Sequence, residues 1–238
     1  MAAKGQGRRR VRYCINHAAS FGTETPMNQY FGTYHRFDTA SKKDAGVLLG
    51  ADNLVGDRYR IDLTMDGSEH RAWLVSRFDQ RIGYFDPSFS RDLSILAARG
   101  LTLTALLSFI AFTEQPEPGH YWGEMAVIAY EPAEEEVFNT FLEGISARLQ
   151  DGIRPQVSLE ADGVASILSS EGSWTPEKTV PLPSKEKGTV IMKSRRSLSE
   201  KAIEQGRMGN KGCYFVSWAF LLALVAAAMF ALKSCGAF

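Results

Sequence analysis

Residues 59–65 read Tyr-Arg-Ile-Asp-Leu-Thr-Met, Asp66-Gly67 follows, and the stretch from Arg71 to Arg77, Arg-Ala-Trp-Leu-Val-Ser-Arg, is rich in β-forming residues around Trp73 and Val75. Alternation of apolar and polar side chains at period two turns one face of an extended strand toward a core and the other toward water. Asp66-Gly67 supplies a residue that accepts positive φ without steric cost, so the two runs predict an antiparallel hairpin.

Working outward, a second turn at Asp79-Gln80 leads into Arg81-Ile-Gly-Tyr-Phe85, a short third strand whose Gly83 allows a bulge or a close backbone approach. Asp86-Pro87 reads as the N-cap and first position of a helix with Phe89, Leu93, Leu96 and Ala97 on one face and Gly100 as its stop. Leu101 to Phe112 and Met125 to Tyr130 predict a second hairpin across the Pro/Gly-rich loop Thr113 to Gly119. Glu131 to Gln150 is amphipathic: Val137, Phe138, Phe141, Leu142, Ile145 and Leu149 recur at spacings of three and four, with Glu134 to Glu136 at the end where the helix dipole favours anions. Val157 to Leu159 predicts one more strand and Val164 to Leu168 a short helix. The expected fold is α+β, a small antiparallel β-sheet or partly open barrel with two packing helices.

From Cys213 to Leu232 the chain is apolar apart from Ser217 and carries no charge. At about 1.5 Å per residue such a run makes a helix of roughly 30 Å, the thickness of a bilayer's hydrocarbon. It predicts one transmembrane helix. Lys193, Arg195, Arg196, Lys201, Arg207 and Lys211 precede it and only Lys233 follows, so the positive-inside bias puts the N-terminal domain in the cytoplasm. Tyr214, Trp218, Lys211 and Lys233 are the expected membrane-interface residues. Ala219, Ala223, Ala227 and Ala231 recur every four residues, a small-residue stripe suited to a weak homodimer through the helix. The expected organisation is a flexible basic tail over 1–25, a cytosolic domain over 26–172, a basic disordered linker over 173–212 that is Pro-, Lys-, Ser- and Gly-rich, the span over 213–232 and a short tail over 233–238.

Charge is unevenly divided although the formal net charge is zero: residues 26 to 175 hold 12 Lys/Arg against 22 Asp/Glu, leaving basic tails on an acidic domain. Cys14, Cys213 and Cys235 are too scattered for a disulfide framework, and Cys14-x-x-His17 is too isolated for a metal site. There is no nucleophile elbow, no phosphate-binding glycine loop and no metal-spaced cluster, so neither catalytic residues nor cofactors are expected. Consecutive glutamates point in different directions on a helix, which makes Glu134 to Glu136 a solvated face.

The strand ending in Trp73-Leu-Val75, the Arg81-Ile-Gly-Tyr84 element and the short helix with Leu93, Leu96 and Ala97 before Gly100 and a long strand together resemble a HIRAN-type domain over about residues 71–112. In that family a partly open barrel binds single-stranded DNA ends, and Tyr84 is the residue carried over from the element involved. Asp66-Gly-Ser-Glu-His-Arg-Ala-Trp73 stands where family members carry Asn and Asp, a departure at any shared ligand site. Arg58, Arg60, Arg71, Arg77 and Arg81 gather around the first hairpin, with Tyr59, Trp73 and Tyr84 as candidate stacking platforms. The candidate ligand-binding residues are Tyr84, Trp73, Arg71 and Arg81. An acidic domain repels phosphates. The leading expectation is therefore a membrane-tethered, non-catalytic interaction domain with a protein partner and the bilayer as its contacts. Nucleic acid is the alternative partner.

Overall fold

The computed structural model describes residues 30–39, 41–184, 187–201 and 218–225. Its strands are β1 (Phe31–Asp38), β2 (Arg58–Asp66), β3 (Glu69–Val75), β4 (Arg81–Phe85), β5 (Thr102–Thr113), β6 (His120–Tyr130) and β7 (Thr189–Lys193). All neighbours pair antiparallel in the order β2-β3-β4-β1-β6-β5, and β2 pairs back onto β5, which closes a six-stranded barrel. The expected α+β barrel is present, and it is closed rather than partly open. Closure comes from Arg58 to Arg60, which pair with Thr104 to Leu106 before β2 goes on to meet β3. The opening hairpin holds, with the positive φ on Gly67, the first of its two loop residues. The hairpin of β5 and β6 also holds.

Alternation gives the barrel two apolar layers. Phe37, Tyr59, Ala72, Leu74, Ile82, Ala105, Leu107, Met125 and Val127 form one buried cluster with Leu48, Phe89 and Leu93 from two helices, α1 (Lys42–Leu49) and α2 (Pro87–Ala98). Leu106, Ala126, Ile128 and Tyr130, one register step away on the same strands, form another with Phe138, Phe141, Leu142, Ile145 and Leu149 of α3 (Glu135–Gln150) and Ile167 of α4 (Ala161–Ser169). Two helices therefore close the interior and two cover the outer wall; α4 takes in the short helix expected at Val164 to Leu168, and α1 is the one not expected. The ladder between β3 and β4 slips at Leu74/Val75. A Cβ on Gly83 there would lie 2.7 Å from the Asp38 carbonyl, so the glycine is needed for close approach.

Asp86 caps α2 as expected: its Oδ1 accepts from the N–H of Ser88 at 3.0 Å and of Phe89 at 3.1 Å, and Pro87 occupies the first turn. Its Oδ2 meets His35 Nε2 at 2.7 Å. Burial pushes the Asp86 carboxyl up, but the His35 bond and the two backbone donors outweigh it and hold the group below its ordinary value. A carboxyl lowered on folding contributes stability that is full above its unfolded pKa of about 4 and is lost as pH falls below that. Asp86→Ala is expected to cost about 1 kcal/mol at pH 7. Thermal melts should show the gap from the parent protein narrowing toward pH 3.

The C-terminal part departs from expectation. Residues 173–184 and 187–201, expected within a disordered linker, form a strap bound to the barrel. Trp174 packs on the outer cluster, Arg148 Nη1 donates to the Pro176 carbonyl at 2.8 Å, and Pro155 bridges Thr179. β7 pairs with Ile110 to Thr113 of β5, on the edge that β2 uses lower down. Arg196, buried, donates to the Val55 carbonyl and to Asp57 Oδ1, both at 2.8 Å. Aperiodic composition misleads here because the segment is held by backbone pairing and long-range arginine bonds rather than by an amphipathic face. With the strap included, residues 26–201 carry 19 Lys/Arg against 25 Asp/Glu, so the domain is less acidic than its first 150 residues suggest. Val157 to Leu159 is not a strand. Val157 is buried against the outer cluster beside the isolated bridge at Pro155.

Residues 218–225 are helical, and Trp218, Phe220, Leu221, Leu222, Leu224 and Val225 are all exposed on that helix. Among the described residues no helix is long and apolar enough to cross a membrane. The tails at 1–25 and 233–238, Lys211, Tyr214, Ala227, Ala231 and Lys233, and most of the expected span lie outside the described residues.

Candidate functional site

Registers place Asp62 of β2 opposite Trp73 of β3, Trp73 opposite Tyr84 of β4, Tyr84 opposite Asp38 of β1, and Asp38 opposite Trp122 of β6. Directly opposed residues share a face, and Ala72 and Leu74 on either side of Trp73 belong to the interior cluster, so this row runs across the outer wall. It is a shelf of half-buried aromatic rings open to solvent.

Guanidinium groups cover the rings. Arg71 lies 4.8 Å from the Tyr84 ring centre and 5.8 Å from that of Trp73, Arg81 lies 5.0 Å from Trp73, and Trp73 and Tyr84 meet edge to face at 5.4 Å. At the other end Arg36 sits 4.2 Å over Trp122 and 3.1 Å from His120 Nε2. Each arginine also has a carboxylate: Arg36–Asp38 at 3.1 Å, Arg71–Asp66 at 3.4 Å and Arg81–Asp62 at 3.3 Å. The local charge therefore cancels. The shelf offers flat apolar rings and bidentate donors without the excess positive potential that phosphate binding needs.

All four residues expected at the site, Tyr84, Trp73, Arg71 and Arg81, come together in one cluster. The wider basic groove does not form. Arg58 donates to Asn139 Oδ1 at 2.7 Å, Arg60 pairs with Asp79 at 3.2 Å, and Arg77 lies 5.1 Å from the Phe78 ring. Tyr59 is not a stacking platform. It is an interior residue whose hydroxyl donates to Asn53 Oδ1 at 2.8 Å, and burial followed by the nearby Asp57 charge raises its pKa well above the ordinary value. Arg36 and Trp122 were missed by sequence reasoning because neither strand β1 nor the first half of β6 shows a long alternating run. The loop between β5 and β6 is exposed from Glu114 to Pro118.

A second polar centre lies beneath the strap. Arg154 donates to Glu124 Oε2, to Ser108 Oγ at 2.9 Å and to the Pro181 carbonyl at 2.6 Å, with its guanidinium 4.4 Å from the Tyr34 ring and 5.3 Å from that of Phe109. Burial raises the Tyr34 hydroxyl pKa, against the pull of the Arg154 charge. With each of its three guanidinium nitrogens engaged and its side chain 4 % exposed, Arg154 is a structural fastening rather than a group offered to a ligand. Among the described residues no group of three or more His, Cys, Asp and Glu side chains could hold a metal ion.

No protein-family model, curated protein or solved structure matches the chain.

Proposed function

We propose that this chain is a single-pass, tail-anchored membrane protein whose cytosolic barrel presents the Trp73–Tyr84–Trp122 shelf to a protein partner. The observation that carries the reading is the charge-balanced set of rings and guanidiniums on the outer wall. Trp, Tyr and Arg are the residues enriched at the centres of protein interfaces, where they bring large rigid area and directional donors. The membrane half of the proposal is supported by the uncharged run from Cys213 to Leu232 and by the exposed apolar side chains over 218–225. Ala219 and Ala223 lie one turn apart on that helix, where their small side chains suit close approach of a second copy in lipid.

A photo-crosslinking residue placed at position 84 or 122 of the full-length, membrane-inserted protein tests the shelf. Discrete protein adducts are expected, absent when the crosslinker sits at Asp92 on α2 and lost with Trp73→Ala. Adducts to nucleic acid, or none at all, overturn the reading.

The second reading is a HIRAN-like single-stranded nucleic-acid module tethered to the membrane, favoured by the outward placement of Trp73 and Tyr84. Base stacking is worth about 1–3 kcal/mol per base, enough to displace a guanidinium held by about 0.5–1 kcal/mol. Residues 30–201, free of both remaining basic tails, are expected to bind an oligonucleotide no tighter than the non-specific range of about 10⁻⁴ to 10⁻⁶ M. Sub-micromolar binding to a free 3′ end, abolished by Tyr84→Ala without loss of fold, would reverse the order of the two readings.

A further inference from the structure

Given the proposed membrane anchor, on which the surface described here depends, the strap sets how far from the bilayer the domain can stand. Had residues 173–212 been a loose tether, the barrel could have stood well clear of the lipid. Instead the chain is fastened to the barrel as far as Lys201, whose Nζ pairs with Asp151 Oδ1 at 2.9 Å. Only residues 202–212 separate it from Cys213. Twelve residue steps at about 3.3–3.6 Å reach at most roughly 40 Å whatever path they take. That limit is about the diameter of a domain of this size. The end of the barrel from which the chain leaves must therefore stay close to the membrane.

That end is built unlike the rest of the surface. Residues 194–201 turn back past the end of α3, and Arg196 N–H donates to the Gln150 carbonyl at 2.8 Å. Ser197 opens a helical turn through a reciprocal cap: its Oγ accepts from the Glu200 N–H at 3.3 Å while Glu200 Oε2 accepts from the Ser197 N–H at 2.8 Å. This cap fixes Leu198 in the first position of the turn with its side chain 87 % exposed, the highest value among the exposed large apolar residues. Met192, 46 % exposed, lines the same open depression, together with Arg195 and Lys201. The carboxylates there, Asp151 and Glu200, are engaged by Lys201 and by Lys193, the latter at 3.3 Å. From residue 193 to 211 the chain carries six Lys/Arg against two Asp/Glu.

We propose that this depression is a membrane-contact surface. Leu198 and Met192 rest at headgroup level, and Arg195 and Lys201 lie against anionic headgroups of the cytoplasmic leaflet. Apolar side chains ringed by basic ones suit an interface in which the upper acyl region accepts the former and the negative surface potential attracts the latter. The short connection supplies the rest by holding the surface within reach of the lipid.

The test uses the full-length protein, with Cys14, Cys213 and Cys235 replaced by serine, reconstituted into phosphatidylcholine vesicles containing phosphatidylserine. A fluorophore is attached at Leu198→Cys, Met192→Cys or, in the turn between β2 and β3 at the opposite end of β2 from Asp57 and Arg196, Ser68→Cys. With a quencher carried on the lipid headgroup, quenching at 198 and 192 is expected to exceed that at 68 at least threefold. Arg195→Glu with Lys201→Glu should reduce the excess in the mixed vesicles and leave it unchanged in pure phosphatidylcholine. Equal quenching at 198 and 68, in protein that resists alkaline carbonate extraction, overturns the proposal while leaving the anchor intact. A label at 198 shielded from aqueous iodide yet untouched by the lipid quencher overturns it in favour of a protein cover, a second copy included. Extraction by carbonate removes the anchor reading and this surface with it.

Discussion

Arg154→Met is expected to lower the stability of the domain by about 3–5 kcal/mol, because it leaves Glu124 charged and largely buried beneath the strap. Three acceptors lose their donor at once: Glu124 Oε2, Ser108 Oγ and the Pro181 carbonyl. An unsatisfied buried acceptor costs more than a typical hydrogen bond contributes, since its desolvation is no longer offset. Against a total of about 5–15 kcal/mol for an ordinary domain, the variant stands near the folding threshold. Removing both charges together, as Arg154→Met with Glu124→Leu, should cost less than Arg154→Met alone, with an interaction term of about 0.5–3 kcal/mol in the double-mutant cycle. Denaturant titration of residues 30–201 measures both. A single-variant loss below about 1 kcal/mol would mean that the pair behaves as a solvated one. Limited proteolysis adds a local readout: loss of the Pro181 contact should speed cleavage between Leu182 and Gly188 more than elsewhere.

Deletion of residues 213–238 is expected to move the protein wholly from the membrane to the soluble fraction. No other segment of the chain offers an uncharged apolar run of that length. The milder pair Leu222→Asp and Leu224→Asp adds roughly 2.5–3.5 kcal/mol per residue near the centre of the span, and insertion should fail. Both leucines are exposed in the described helix, so neither change disturbs a contact with the barrel. Recovery of the truncated chain in membranes after a high-salt wash would overturn the anchor. Recovery that salt reverses would trace instead to the basic surface at Arg195 and Lys201.

Much of the barrel was legible because its strands announce themselves. Tyr59–Met65 and Arg71–Val75 alternate, Gly67 marks the turn, and Asp86-Pro87 carries the chemistry of a helix start. The five buried residues of α3 all follow from spacing alone. β1 does not, since Phe31-Gly-Thr-Tyr-His-Arg-Phe-Asp38 mixes small, polar and aromatic residues on both faces. It lies between β4 and β6, and its pairing is a tertiary matter. The strap was misread for the same reason. A five-residue strand and Arg196 in a Lys-, Pro- and Ser-rich stretch look solvated until their partners, the β5 edge and Asp57, are placed beside them from far back in the chain. At the shelf, Tyr84, Trp73, Arg71 and Arg81 were found because the hairpin brings them together locally. The extension to Arg36 and Trp122 depends on β1 lying between β4 and β6, a strand order that one sequence does not state.

The order in which the strap is fastened has a mechanical meaning. A load applied from the C-terminal side of Lys201 meets the exposed Lys201–Asp151 pair first and then the buried Arg196–Asp57 pair. Only after these does it reach Lys193 opposite Ile110 and begin to peel β7 from β5 one residue at a time. Peeling from one end breaks hydrogen bonds singly, the weakest way to load a strand, so resistance to pull is concentrated in Arg196 rather than in the ladder. The pairing of β2 with β5 that closes the barrel is made at Thr104 to Leu106, apart from the β7 ladder at Ile110 to Thr113. A pull on the chain beyond Lys201 would thus strip the strap and bare the β5 edge from Ile110 to Thr113 while the barrel stayed closed.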